Sequence, residues 1–171
     1  MDPRSAEMWS PVNIPVISNP SVVGFAEAEM IGADVAADLR RRLGDAVDGA
    51  PVPDQVLLDL VPLMVAAVDA ANSLHFRFDL DSLGGDEAPF VLRAAGPSSI
   101  AGLDADHSNR KLVVVLPLEG AASIALPSVA KERRLHTGTV AIFPAFLANS
   151  ILPERHGLVA VVAYAAGPSF V

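Results

Sequence analysis

Between residues 138 and 157 the chain alternates short apolar runs with residues that end them, and few folds accommodate that pattern. Gly138 opens a run that closes at Phe143 and Pro144. A second run over 148–152 closes at Pro153, and Gly157 turns the chain into a last apolar run over 158–165. Proline cannot donate to a central ladder and glycine marks bends, so the stretch reads as three strands joined by tight corners. A helical reading would bury Pro144 and Pro153 in helix interiors, where each removes a hydrogen bond and clashes with the preceding turn.

The same grammar extends upstream. Residues 111–118 form a continuous apolar run with Val113, Val114 and Val115 in sequence, as expected of a strand covered on both faces. Further strands are predicted over 75–80, 90–94 and 123–126, with a turn-rich segment at 81–86. The N-terminal half differs. Apolar positions Phe25, Met30, Ile31, Val35 and Leu39 recur near helical spacing, acids come early and Arg40, Arg41 and Arg42 late, and Gly44 suits a helix stop. A second helix is predicted over 54–73, with Asp54 as N-cap and Pro62 as a kink or restart. Residues 12–17 read as a first strand after a loose tail.

Two helices followed by about eight short strands predict an α+β domain, a double-stranded β-helix of jelly-roll or cupin-like kind with the helices (25–43 and 54–73) packed on one sheet. The 171 residues, 51% of them hydrophobic, suffice for one core, so residues 25–171 are expected to form a single domain after a tail and first strand over 1–24.

Charge and cysteine content narrow the partners. With 12 basic against 20 acidic residues the formal net charge is −8, which excludes nucleic acid and anionic membrane as expected partners. The absence of cysteine removes thiol chemistry and suits a reducing cytoplasm. The most apolar window, 56–71, is interrupted by Asp59, Pro62 and Asp69 and reads as a buried helix rather than a membrane span. High apolar content leaves a homodimer open.

Residues 138–157 resemble the segment of Fe(II)/2-oxoglutarate oxygenases, of the prolyl-hydroxylase type, that carries the distal metal histidine. The resemblance covers roughly residues 70–170. Asn72, Arg77, Phe78 and Asp79 resemble a strand that precedes the core in one bacterial branch. The run from Phe90 to Gly96 resembles the strand before the metal site, Asn109-Arg110-Lys111-Leu112 the start of the next, and Gly167-Pro168-Ser169-Phe170 a family ending. The resemblance implies an iron held by two histidines and a carboxylate, with an arginine on the last strand gripping the cosubstrate carboxylate.

Carried over residue by residue, those positions are substituted. The His-x-Asp pair falls on Leu103 and Ala105, the distal histidine on Asn149, the arginine on Leu158 or Val159, and a cosubstrate-facing tyrosine on Ala94 or Ala95. The resemblance therefore implies a degenerate member that has lost Fe(II) and 2-oxoglutarate, with no cofactor. It would act as a metal-free enzyme of isomerase, cyclase or lyase type, or as a ligand-binding protein. Its ligand would be a small, largely apolar molecule in a barrel pocket formed by Leu103, Ala105, Asn149, Leu158 and Tyr164, with the apolar substitutions leaving a larger, drier cavity. His107 and Asn149 are the candidate catalytic groups. The alternative is an active Fe(II)/2-oxoglutarate hydroxylase whose metal sits on offset ligands Asp104 or Asp106, His107 and His156. Against both stands the simpler reading of residues 104–109 as a polar turn before a buried strand, since alternation does not place Asp104, Asp106 and His107 on one face.

Overall fold

Two long antiparallel strands form the spine: β5 (Arg110–Ala125) and β8 (Ser150–Ala166) pair from Arg110↔Ala166 to Ala125↔Ser150. The remaining strands are β1 (Val12–Asn13), β2 (Val23–Glu29), β3 (Ser82–Leu83), β4 (Phe90–Ala94), β6 (Arg133–Leu135) and β7 (Thr139–Pro144). The computed structural model describes residues 12–13, 23–83, 87–104, 106–127 and 132–168. All described pairs are antiparallel, in the order β1-β2-β7-β5-β8-β3, with β4 on β8 and β6 on β5. The expected α+β class and jelly-roll-like architecture are those observed.

The sheet separates two apolar clusters, and strand alternation decides which residue joins which. Leu112, Val114 and Leu116 of β5, with Val161, Ala163 and Ala165 of β8, face the helices. Val113, Val115, Ala160, Val162 and Tyr164 face the inside of the roll. Paired residues agree, as Val113↔Tyr164 and Val114↔Ala163 show, because a one-residue slip would exchange the two faces. Register shifts between Pro117 and Glu119 and between Gly120 and Ala122 break the alternation of β5, so Ala122 and Ile124 join the inner cluster. Gly120 sits at this bend with φ 80°. A Cβ there would lie 2.1 Å from the Gly157 carbonyl oxygen, so only glycine fits.

The helices are α1 (Ala33–Leu43) and α2 (Asp54–Ala71). Ala36, Leu39 and Leu43 of α1 and the i, i+4 stripe Val56, Leu60, Met64 and Val68 of α2 are buried against the sheet. Each large side chain so covered stabilises the fold by about 1.5–3 kcal/mol.

Several sequence expectations need correction. The predicted helix over 25–43 is a strand, β2, followed by a shorter helix. Phe25 faces the inner cluster while Ala26 and Ala28 face the helices, and Ala26–Glu29 pair with β7, so a long-range ladder overrides the local helical spacing. Gly44, with φ 59°, does stop α1. Pro53, not Asp54, occupies the N-cap of α2, and the helix runs unbroken through Pro62, which lies on its exposed side. The predicted strand over 75–80 is absent: α2 runs into a π-helical turn, Asn72–Phe76, closed by Arg77 at φ 57°. The Asn72 side chain accepts from the Phe78 N–H and donates to the Phe78 carbonyl, both at 2.8 Å, replacing a ladder partner. The runs at 111–118 and 123–126 are one strand, as are those at 148–152 and 158–165. Residues 14–17 of the predicted first strand lie outside the described residues.

Candidate functional site

A cleft of about 400 Å³ opens where the loop at 99–103 faces the corner at 145–149 between β7 and β8. Three pairings hold the walls together. Ser98 and Ile151 exchange backbone hydrogen bonds of 2.8 and 2.7 Å, and the Leu103 N–H donates to the Ala145 carbonyl at 3.2 Å. The third involves Asn149, whose Oδ1 accepts from the Ile100 N–H at 2.8 Å while Nδ2 donates to the Ile100 carbonyl, also at 2.8 Å. Its amide thus imitates a strand partner, and both ends are engaged. Gly102 permits the close approach, since a Cβ there would stand 2.3 Å from the Ala145 carbonyl oxygen. Phe146, half exposed at the rim, meets Phe78 edge-on at 6.4 Å.

A buried polar stack fixes the loop from below. The Tyr164 hydroxyl donates to the Ala101 carbonyl at 2.6 Å and Arg110 Nη1 to the Gly102 carbonyl at 2.7 Å. The guanidinium lies 4.0 Å from the Tyr164 ring centroid and forms a two-point ion pair with Glu87, its Nε donating at 2.8 Å. The Glu87 hydrogen bond raises the Arg110 pKa against the opposing effect of burial. Burial raises that of Tyr164, and the nearby Arg110 charge only offsets it in part. Sequence reasoning missed this stack; an arginine at the entrance to a wholly apolar strand was its one visible sign.

The sequence-predicted site residues divide among several places. Leu103 and Asn149 do meet on the cleft. Leu158 and Tyr164 do not line this cleft: both are buried in the inner apolar cluster. Ala105 lies outside the described residues. Leu158 and Ala94 point into the roll, whereas Val159 faces the helices and Ala95 is exposed.

The offset cluster behaves as a turn. Asp104 Oδ1 accepts from the N–H groups of Asp106 and His107, each at 2.8 Å, and its carboxylate pairs with His107 Nδ1 at 2.9 Å. Burial would push the Asp104 carboxyl up, but the His107 ring and the two backbone donors outweigh it and hold it below its ordinary value. His107 Nε2 stands 3.7 Å from Glu87. His156 is exposed on β8, in the segment opposite Gly120–Ala122, about ten residues or roughly 30 Å of strand from Arg110. Among the described residues no three His, Asp or Glu side chains converge to hold a metal ion. Arg93, another strand arginine, fastens the loop after α1 through the Ala46 carbonyl at 3.1 Å.

At the positions to which the resemblance carries the ligands, the described residues do not fit the iron and cosubstrate that it implies. Leu103 offers no donor atom, Asn149 is engaged at both ends by Ile100, and Leu158 offers a carboxylate nothing.

Neither a protein-family model nor any curated protein matches the chain. Solved structures do. A Pseudomonas putida prolyl-4-hydroxylase matches with a TM-score of 0.65 at 13% identity, covering 96% of this chain and 100% of that one. A Trichoplax adhaerens prolyl hydroxylase, solved with a hypoxia-inducible-factor degradation-domain peptide, matches with a TM-score of 0.65 at 9% identity over 95% and 89% of the two chains. A viral collagen prolyl hydroxylase from Paramecium Bursaria Chlorella virus-1 matches with a TM-score of 0.57 at 11% identity over 85% and 96%. At such identities the likeness is one of fold, and this chain has the fold of the prolyl hydroxylases.

Proposed function

We propose that this chain is a small-molecule-binding protein on the prolyl-hydroxylase fold that does not use Fe(II) or 2-oxoglutarate, and that it takes an amphipathic ligand, its apolar part on Leu103 and Phe146, in the cleft between residues 99–103 and 145–149. The observation that carries the reading is the two-ended hydrogen bonding of the Asn149 amide to Ile100. The residue at the distal histidine position closes the cleft wall instead of facing a metal. Binding is favoured over metal-free catalysis by the same geometry, since Asn149 is engaged and His107 is folded onto Asp104 outside the cleft lining. Leu103 and Phe146 supply apolar surface there, while Ser99, Asn149 and the backbone of the two facing loops make the rest of the lining polar.

The test uses the purified protein with saturating Mn(II) or Fe(II) and 2-oxoglutarate. A ligand at a hundred times its Kd adds about 2.7 kcal/mol, or roughly 5–10 °C of Tm for a domain of this size. The expected result is no metal-dependent shift and no 2-oxoglutarate consumption, together with Nile red binding that Leu103→Glu abolishes. Stoichiometric iron with 2-oxoglutarate turnover would overturn the proposal, as would Nile red binding that ignores the Leu103 substitution.

A further inference from the structure

The side of α2 turned away from the sheet is apolar where a surface helix is ordinarily polar. Leu58, 78% exposed, and Val65, 37% exposed, lie seven residues apart on one face with Pro62 exposed between them, and Leu63, 40% exposed, adds apolar surface on the far flank. Beside this stripe runs a groove of about 300 Å³, lined by Val65, Val68, Leu80 and Leu83 and flanked by the carboxylates of Asp69 and Asp81. Val65 belongs to both features, so they form one surface. Leu58 to Asp69 spans about 16 Å of helix, three turns.

Charge decides what this surface accepts. α2 carries Asp54, Asp59 and Asp69 and no basic residue. Arg42 reaches it from α1 and is held by Asp38 and Asp59. Among the described residues no cation pairs with Asp69 or Asp81. A second copy of the chain docked through the same face would set these acids against each other. An anionic bilayer would meet the same carboxylates on a chain of net charge −8.

We propose that the exposed face of α2 and its groove form a docking site for a basic amphipathic helix of another protein, with an apolar side chain in the groove and lysine or arginine side chains on Asp69 and Asp81. This surface is independent of the cleft, so either proposal can fail alone.

The probe is a fluorescent Leu/Lys peptide with leucines at i, i+3, i+4 and i+7, compared by anisotropy with a scrambled peptide of equal composition. The designed peptide is expected to bind at least about tenfold more tightly than the scramble. Leu58→Ser/Val65→Ser is expected to weaken it about tenfold and Asp69→Asn/Asp81→Asn about three- to tenfold. Asp45→Asn/Glu132→Gln, with the same net charge as the second variant, is expected to leave binding unchanged. Circular dichroism melts confirm that each variant is folded. Four results would overturn the proposal: no binding of the designed peptide, equal binding of the scramble, equal weakening by the control pair, or a wild-type homodimer that Leu58→Ser dissociates. Binding to phosphatidylglycerol vesicles that Leu58→Ser abolishes would likewise reassign the face to a membrane.

Discussion

Replacing Asn149 by alanine separates a structural amide from a ligand-binding one. The substitution removes two hydrogen bonds of 2.8 Å and leaves the N–H and carbonyl of Ile100, a buried residue, without partners. Each orphaned backbone group costs about 1–3 kcal/mol. Because the cleft admits water to one side, the lower half of that range applies, for a sum of about 3 kcal/mol. In a domain of this size that lowers Tm by roughly 6–12 °C. Asn149→Asp should not rescue it, since a carboxylate would accept from the Ile100 N–H but oppose the Ile100 carbonyl. Asn149→His, although it restores the residue implied by the oxygenase resemblance, should also lose stability. Urea titration measures the effect as a lower midpoint at unchanged m, the mark of lost stability rather than an altered unfolded state. A change in Asn149→Ala within about 0.5 kcal/mol, the ordinary range for surface substitutions, would refute the reasoning.

Two further outcomes are expected from buried polar groups. His75 Nε2 is buried without a hydrogen-bond partner, and burial lowers the His75 pKa below its ordinary value of 6.5. The unfolded chain therefore takes up the proton first, so stability is full above about pH 6.5 and falls as pH drops towards the lowered folded value. Urea midpoints between pH 5 and 7.5 should show that slope reduced in His75→Leu, and an unchanged slope would count against it. Arg110→Met should destabilise by about 3 kcal/mol, since it strands Glu87 beside a buried site, and should loosen the 101–102 loop enough to weaken Nile red binding. Arg110→Lys should not recover the loss, because an ammonium cannot pair with Glu87 at two points, reach Gly102 and stack on Tyr164 together. Full recovery in thermal melts would show that charge alone matters.

The parts of the fold legible in the sequence are those fixed by local pattern. The runs around Val113–Val115 and Val161–Ala163 alternate between two cores, and Pro144 ends β7, whereas Gly157, read as a turn between strands, lies inside β8 at φ 80° opposite a register shift. Phe25 to Glu29 were misread because Phe25 was grouped with the helical spacing of Met30, Ile31, Val35 and Leu39, and pairing with β7, over a hundred residues away, decides for a strand. The two asparagine clips were illegible for a related reason. Asn149 and Ile100 are 49 residues apart, and nothing local distinguishes an amide aimed at a cavity from one aimed at a backbone. Arg110 and Glu87 found each other across a loop in the same way.

On the proposed reading ligand binding belongs to the rim cleft, whereas Leu158 and Tyr164 lie in the buried inner cluster. Apolar side chains at positions that otherwise hold polar groups hollow an interior only if their neighbours fail to close on them, and voids forfeit dispersion contacts. Here the residues around Leu158 are buried and apolar. Leu158 pairs with Ala94 on one side and Gly120 on the other, and Val162, Val113 and Phe143 belong to the same buried cluster. An arginine returned to position 158 would place a cation in this apolar cluster rather than reopen a site, which burial alone makes strongly unfavourable. Leu103, Asn149 and Leu158 thus play three different parts in the fold. The Leu158 side supplies core, the Asn149 side supplies a backbone clip, and the surface left between Leu103 and Phe146 is what remains open to a ligand.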